Sequence, residues 1–247
     1  MNVAGKVALV TGGGTGIGRA TALLLAAKGA DVAVNYSRSK AEAEGTVAEV
    51  RALGRKGIAV RADVADNAEV VAMVEQTVRD LGRLDILINN AGWTAFIDFR
   101  DLDSLTDEVW DRTMAVNLKG PFFCARAAAP EMEKAGAGVI VNVSSMAGVL
   151  GRGSSIPYCA SKAALNLLTR ILAKQLAPTI RVNAVAPGVV TTRWVKDQKA
   201  FVRGAQLQTP MKRVATPEDV AGAVLSLIEG TDFVVGQILA VDGGLSA

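Results

Sequence analysis

The sequence predicts an α/β fold: a doubly wound parallel sheet of about seven strands with helices on both faces. Three observations carry this. Apolar runs of four to six residues alternate with longer stretches of helical period, the pattern of βαβ units. Several runs are apolar at consecutive positions, as strands covered on both faces require. The first run feeds a glycine-rich turn that opens a helix. In chain order the strands fall at Val7–Val10, Val32–Asn35, Gly57–Val60, Ile86–Ile88, Val139–Val143, Val182–Ala186 and Gln237–Val241. The helices fall at Arg19–Gly29, Lys40–Leu53, Asn67–Leu81, Leu105–Lys134, Tyr158–Ala177 and Pro217–Ile228. Lys28-Gly29 closes the first helix, and Thr216-Pro217-Glu218 gives the last one a cap with proline at its first position. Gly120-Pro121 is expected to kink or divide the Leu105–Lys134 helix. No repeat, linker or low-complexity segment interrupts the 247 residues, so one domain, 1–247, is expected. From Gly188 to Ala215 no strand or long helix is legible. A loop that long after a strand is expected at the carboxyl edge of the sheet, as a lid or substrate-binding loop at about 188–215.

Composition prunes the chemistry. With 2 Cys and no His, a Cys/His zinc site has too few ligands, and no metal is expected. The missing imidazole removes the commonest general base and every Ser-His or Cys-His nucleophile. An acid or base must then be Tyr, Lys, Asp, Glu or a thiol. A net charge of +3 is too weak to indicate a nucleic-acid or membrane partner. The 17-residue charge-free stretch Ala135–Gly151 is too short and too polar for a membrane helix. The N-terminal residues lack an apolar signal core, which with free thiols points to the cytoplasm.

The chemistry concentrates at strand ends. Thr11-Gly12-Gly13-Gly14-Thr15-Gly16-Ile17-Gly18 lies between a strand and a helix. Glycines there let the backbone approach a pyrophosphate whose charge sits at the helix N-terminus, as in a Rossmann-type dinucleotide site. After the second strand comes Asn35-Tyr36-Ser37-Arg38, with no acid before Glu42. A ribose 2′-hydroxyl is usually met by an acid at this place, whereas a guanidinium suits a 2′-phosphate, so NADP(H) is preferred over NAD(H). Asp63 is placed to accept from an adenine amine, or simply to form a turn. Tyr158 and Lys162, four apart, share one helix face. A cation beside the phenol is expected to pull its pKa down from about 10 toward neutrality, making Tyr158 the acid/base. Ser144-Ser145 follows a strand at the same edge, where a hydroxyl can donate to a carbonyl. Asn117 lies inside a helix, where Asn is a poor former, and marks a bend or a held water.

These pieces, namely Thr11-Gly12-x-x-x-Gly16-x-Gly18, Asn89-Asn90-Ala91-Gly92, Asn117, Ser145, Tyr158-x-x-x-Lys162 and Pro187-Gly188, resemble the short-chain dehydrogenase/reductase family, classical type, over essentially the whole chain. The layout and the Asn35–Arg38 loop are similar to those of 3-oxoacyl-[acyl-carrier-protein] reductases. The resemblance implies Tyr158 as acid/base, Ser145 orienting the carbonyl, Lys162 on the nicotinamide ribose and lowering the phenol pKa, and Asn117 placing a water. It implies a cofactor lined by Gly12, Thr15, Gly16, Ile17, Gly18, Tyr36, Ser37, Arg38, Asp63, Val64, Asn90, Ala91, Gly92, Val143, Pro187, Gly188 and Val190. It implies a small carbonyl or alcohol substrate and a homotetramer, with a dimer as the alternative. The added C-terminal substrate domain of the family's extended branch is not expected. An NAD-dependent alcohol or sugar dehydrogenase of the family is the alternative activity, and a non-catalytic nucleotide-binding regulator a third reading. The Gly188–Ala215 segment carries six Lys/Arg against one acid, Asp197, which suits an anionic substrate or carrier. The stretch Ala135-Gly136-Ala137-Gly138 lacks the basic cluster that the carrier-dependent reductases often show.

Overall fold

The computed structural model describes residues 1–247. The chain alternates β1 (Val7–Val10), α1 (Gly16–Ala27), β2 (Asp31–Tyr36), α2 (Lys40–Ala52), β3 (Gly57–Arg61), α3 (Asn67–Leu81) and β4 (Ile86–Asn89). There follow α4 (Asp107–Met114), a π turn (Ala115–Lys119), α5 (Gly120–Lys134), β5 (Gly138–Val143), α6 (Ala147–Leu150), α7 (Ile156–Leu176) and β6 (Ile180–Pro187). A 3₁₀ turn (Arg193–Val195), α8 (Lys199–Gln208), α9 (Pro217–Glu229) and β7 (Ile238–Val241) complete it. All seven strands pair in parallel, in the order β3-β2-β1-β4-β5-β6-β7. The expected fold class is therefore what forms.

Alternate residues of each strand feed two cores. Ala8 and Val10 of β1 meet α1, α2 and α9, through Leu25, Val47 and Val224. Val7 and Leu9 face α3, α5 and α7, through Met73, Met132 and Ala173. Helix α9 starts at the expected signal, with Thr216 and Asp219 forming a reciprocal cap and Pro217 in the first turn. The strand order reverses between β1 and β4, and the crevice outside the carboxyl ends there is where such sheets bind ligands.

Three boundaries depart from expectation. Helix α1 begins at Gly16, so Gly16 and Gly18 lie in its first turn rather than ahead of it. The long helix is divided at Gly120, yet it runs on through Ala115 and Gly120 with helical dihedrals. The irregularity is the wider Ala115–Lys119 turn, and Pro121 sits harmlessly in the first turn of α5. The 188–215 segment is not plain loop, because it carries α8. That helix is only ten residues long, carries Gly204 in its interior and buries no residue, so its helical signal is weak. A lone parallel bridge, Val190 to Ala215, closes the base of this excursion.

Candidate active site

Polar residues ending the apolar strands tie the carboxyl edge together. Thr11 Oγ1 donates to the Ile88 carbonyl (3.2 Å) and accepts from the N–H groups of Asn90 (2.9 Å) and Ala91 (3.0 Å). Asn90 Nδ2 returns bonds to the carbonyls of Thr11 (2.8 Å) and Gly12 (3.1 Å). Asn35 is buried; its Oδ1 accepts from Gly12 N–H (3.2 Å), and its Nδ2 donates to the carbonyls of Ala62 (3.0 Å) and Val60 (3.3 Å). The ends of β1 through β4 are thus locked around one glycine turn. Sequence reasoning passed over Asn35 and Thr11 as site residues; a polar side chain closing an apolar strand was the signal.

The turn fits a dinucleotide phosphate. A Cβ on Gly18 would lie 2.4 Å from the Gly12 carbonyl oxygen, and one on Gly14 2.9 Å from Ala43 N. Gly12 and Gly16 have φ of +61° and +54°, conformations that favour glycine. The Thr15 side chain does not cap α1, and no acid stands in its first turn. The helix N-terminus is left open to an anion.

A cleft of about 1210 Å³ runs from this turn across the sheet edge. Gly12, Thr15, Gly16, Ile17, Tyr36, Ser37, Arg38, Asp63, Val64, Asn90, Ala91, Gly92, Val143, Ser145, Tyr158, Lys162, Pro187, Gly188 and Val190 all line it. Two anticipated residues do not. Gly18 packs beneath the turn, and Asn117 is buried behind Trp93, with Oδ1 accepting from Trp93 N–H (2.8 Å). Its Nδ2 donates to the Trp93 carbonyl (2.9 Å) and Ser161 Oγ (3.0 Å). The side chain of Asn117 is therefore spent on fixing a loop. Its own carbonyl is another matter, since Pro121, four residues on, has no N–H to give it.

At the inner end of the cleft the two serines separate. Ser144 Oγ turns inward and donates to Asn166 Oδ1 (2.6 Å). Ser145 Oγ accepts from Ala147 N–H (3.1 Å), which leaves its own proton to donate into the cleft. Lys162 is buried; its Nζ donates to the Val143 carbonyl (2.7 Å) and stands 5.8 Å from the centroid of the Tyr158 ring. The expected depression of the phenol pKa is not what this geometry gives. Loss of water pushes Tyr158 up to about 12, against a smaller downward pull from Ser145. Burial likewise brings Lys162 down to about 8. Desolvation by burial is the larger cause, while Nζ donates to Val143 and stands over the face of the ring.

At the adenosine end Arg38 is exposed beside Ser37. Arg193, from the lid segment, reaches the same corner, with Nη1 and Nη2 3.2 and 3.3 Å from Ser39 Oγ. Asp63 both forms a turn, accepting from Ala65 N–H (3.0 Å), and pairs with Arg112 (3.0 Å). Arg193 and Arg112 are cleft residues the sequence alone did not single out for these places. Trp194 packs edge-on against Tyr158, with ring centroids 6.4 Å apart, and a Cβ on Gly92 would lie 3.2 Å from its ring.

A dinucleotide cradle joined to a Ser-Tyr-Lys cluster on a parallel sheet defines an NAD(P)-dependent oxidoreductase. The chain belongs to the short-chain dehydrogenase family, whose model matches residues 6–202. It is 40% identical over 245 residues to the 3-oxoacyl-[acyl-carrier-protein] reductase FabG of Staphylococcus aureus, covering 97% of this chain and 98% of that one. It is 44% identical over 241 residues to a protein named as ketoacyl reductase 2 of the granaticin polyketide synthase of Streptomyces violaceoruber, covering 96% and 95%. Among solved structures, a short-chain type dehydrogenase/reductase from Mycobacterium marinum superposes with a TM-score of 0.93 at 33% identity, over 100% of this chain and 97% of that one. No helix is long and apolar enough to cross a membrane.

Proposed function

We propose that the protein reduces a ketone to a secondary alcohol with NADP(H), with Tyr158 supplying the proton. The observation that carries this reading is the convergence of Ser145, Tyr158 and Lys162 at the inner end of a cleft whose other end is the glycine cradle. The names of two relatives, a ketoacyl reductase and a 3-oxoacyl-[acyl-carrier-protein] reductase, favour a 3-oxo group.

Bound NADPH supplies the hydride to the carbonyl carbon. Ser145 donates to the carbonyl oxygen and fixes its position. Tyr158 gives its proton to that oxygen as charge develops there. A phenol held near 12 keeps its proton at neutral pH, the form that donates in the reductive direction. Lys162, held by the Val143 carbonyl, orients the ribose and replenishes the proton on Tyr158. The Asn117 carbonyl, unclaimed by Pro121, holds the water that passes protons onward. Arg38 and Arg193, with Ser37 and Ser39 between them, meet a 2′-phosphate, and this supports NADP(H) over NAD(H). Exposed Leu167 and Ile171 on α7 and Phe122 on α5 are apolar positions that a homotetramer would cover, which light scattering in solution checks.

Two measurements test the reading. Initial rates with NADPH are expected to exceed those with NADH at equal concentration, and the reverse order overturns the role of Arg38. Tyr158→Phe is expected to lower turnover at least about 100-fold while leaving cofactor binding nearly intact. Turnover above about 1% of wild type removes Tyr158 from the mechanism.

A further inference from the structure

We infer that the substrate carries its reacting ketone within, or directly beside, a flat conjugated ring. This rests on the ketone–alcohol reading above and narrows it to a substrate class. The chain is poor in rings, with six Phe, three Trp and two Tyr in 247 residues. Setting aside Tyr36 and Tyr158, five of them stand in the one cleft: Trp93, Phe96, Phe99, Trp194 and Phe201. They come from distant parts of the chain, the loop after β4 and the excursion carrying α8, so sequence adjacency does not explain the gathering. Four of the five, Phe96, Phe99, Trp194 and Phe201, are exposed. Exposed apolar surface collected in a concave site marks a ligand rather than a fold requirement.

The rings are already arranged as rings pack on one another. Phe96 and Phe201 meet edge-to-face at 6.3 Å, bridging the loop after β4 to the lid helix. Trp194 meets Tyr158 edge-to-face at 6.4 Å. Both fall in the range where aromatic quadrupoles attract. A flat ligand ring entering between these pairs exchanges one such contact for another. Its carbonyl then lies beside the Tyr158 hydroxyl, because Trp194 and Tyr158 are already in contact. Of the polar side chains on this side, Thr94 and Ser154 are hydrogen-bonded to each other, which leaves the aromatic faces, with Arg152 and Gln208 beside them, as the surface for recognition. The cations Lys196, Lys199 and Arg203 line a separate cleft, so they do not set the character of the aromatic one.

The test compares three ketones at fixed NADPH: an aryl-fused bicyclic ketone, its fully saturated counterpart, and a linear 3-oxoacyl thioester. We expect kcat/KM for the aryl ketone to exceed the other two at least tenfold. Phe201→Ala and Trp194→Leu are expected to lower kcat/KM for the aryl ketone about tenfold, chiefly through KM, and to narrow its lead. Trp194→Phe is expected to restore most of the loss. Equal or better turnover of the saturated or linear ketone overturns the inference, and so does an equal fractional loss on all three substrates in the variants. Calorimetric titration of the aryl ketone into enzyme holding NADP⁺ separates the two failures. Binding without turnover of any ketone defeats the reductase reading and leaves the ring site standing. No binding of the aryl ketone, with the linear one reduced, defeats the ring site alone.

Discussion

The two walls of the cleft are built by opposite means. On the cofactor wall, Thr11, Asn35 and Asn90 satisfy backbone groups of four strands through buried side-chain bonds. Its Gly14 and Gly18 leave no room for a methyl group. On the lid wall, α8 buries no residue and meets the body through exposed rings and the Val190–Ala215 bridge. The glycine-cradle wall is over-determined, while the α8 wall is held mainly by contacts at the surface. Substitutions on the first should therefore cost both folding and cofactor binding, and those on the second should change selectivity at little cost in stability.

The largest expected effect is at Gly18. Replacing it with Ala gains roughly 1 kcal/mol of helix propensity. The new methyl, however, would lie 2.4 Å from a backbone oxygen of Gly12 and 2.5 Å from Asn90 Nδ2. A backbone atom pinned by Asn90 has nowhere to go, and overpacking of this kind costs about 1–3 kcal/mol. The clash wins. Gly18→Ala is expected to lose stability by urea titration and to weaken NADPH binding at least tenfold by fluorescence. Unchanged affinity would mean that the cradle is softer than the Gly12–Asn90 contacts imply.

Next comes Asn35→Leu, which keeps the fork at Cγ, adds bulk and strips the bonds to Gly12, Val60 and Ala62. Buried partners left unpaired cost about 1–3 kcal/mol. The lower urea midpoint should come with weaker NADPH binding, because Gly12 is among the groups released. The matched substitution on the lid, Leu207→Asn, touches a side chain that is 68% exposed and is expected to leave both unchanged.

What the sequence disclosed follows the same division. The sheet, its seven strands and the glycine cradle were legible because buried parallel strands and tight turns restrict residue type at consecutive positions. Ser145, Tyr158 and Lys162 were legible as residue types at a strand end and a helical spacing. The direction of the Tyr158 shift was not, because it depends on how far the fold strips water from the phenol. Asn117 was marked as an awkward helix residue, but its grip on Trp93 joins residues 24 apart and needed the fold to appear. Helix α8 was missed because ten residues interrupted by Gly204 carry little helical signal of their own. Arg193 was visible only as a member of a basic loop, since nothing local fixes which wall an excursion touches.

The cofactor wall also stores an ionisation cost. Burial holds Lys162 at about 8 against 10.5 for a free lysine. Between those values the unfolded chain binds more protons than the folded one, so stability should rise with pH through about 8 to 10.5. Tyr158, held up at about 12 from 10, has the opposite sign and gives stability back above pH 10. Urea midpoints at pH 7.5, 8.5 and 9.5 should climb in wild type and climb less in Lys162→Met. A parallel course for the two would show that Nζ is not desolvated.

The smallest effect belongs to the lid. Phe201 is 41% exposed and rests edge-on against Phe96. Truncating it to Ala removes contacts that water already shares, so the stability change should stay within about 0.5 kcal/mol, the usual range for surface positions. For a chain of this length that is about 2 °C or less in the melting temperature. The base of the excursion is fastened independently, since Arg213 Nη2 pairs with Asp219 Oδ1 at 2.9 Å and Thr191 N–H donates to the Ala215 carbonyl at 2.9 Å. Losing the ring should therefore free α8 between fixed ends, and protease cleavage within Lys199–Gln208 should quicken while the calorimetric melt barely moves. If Phe201→Ala instead lowers the melting temperature by 5 °C or more, the lid is part of the cooperative core, and the contrast between the two walls fails.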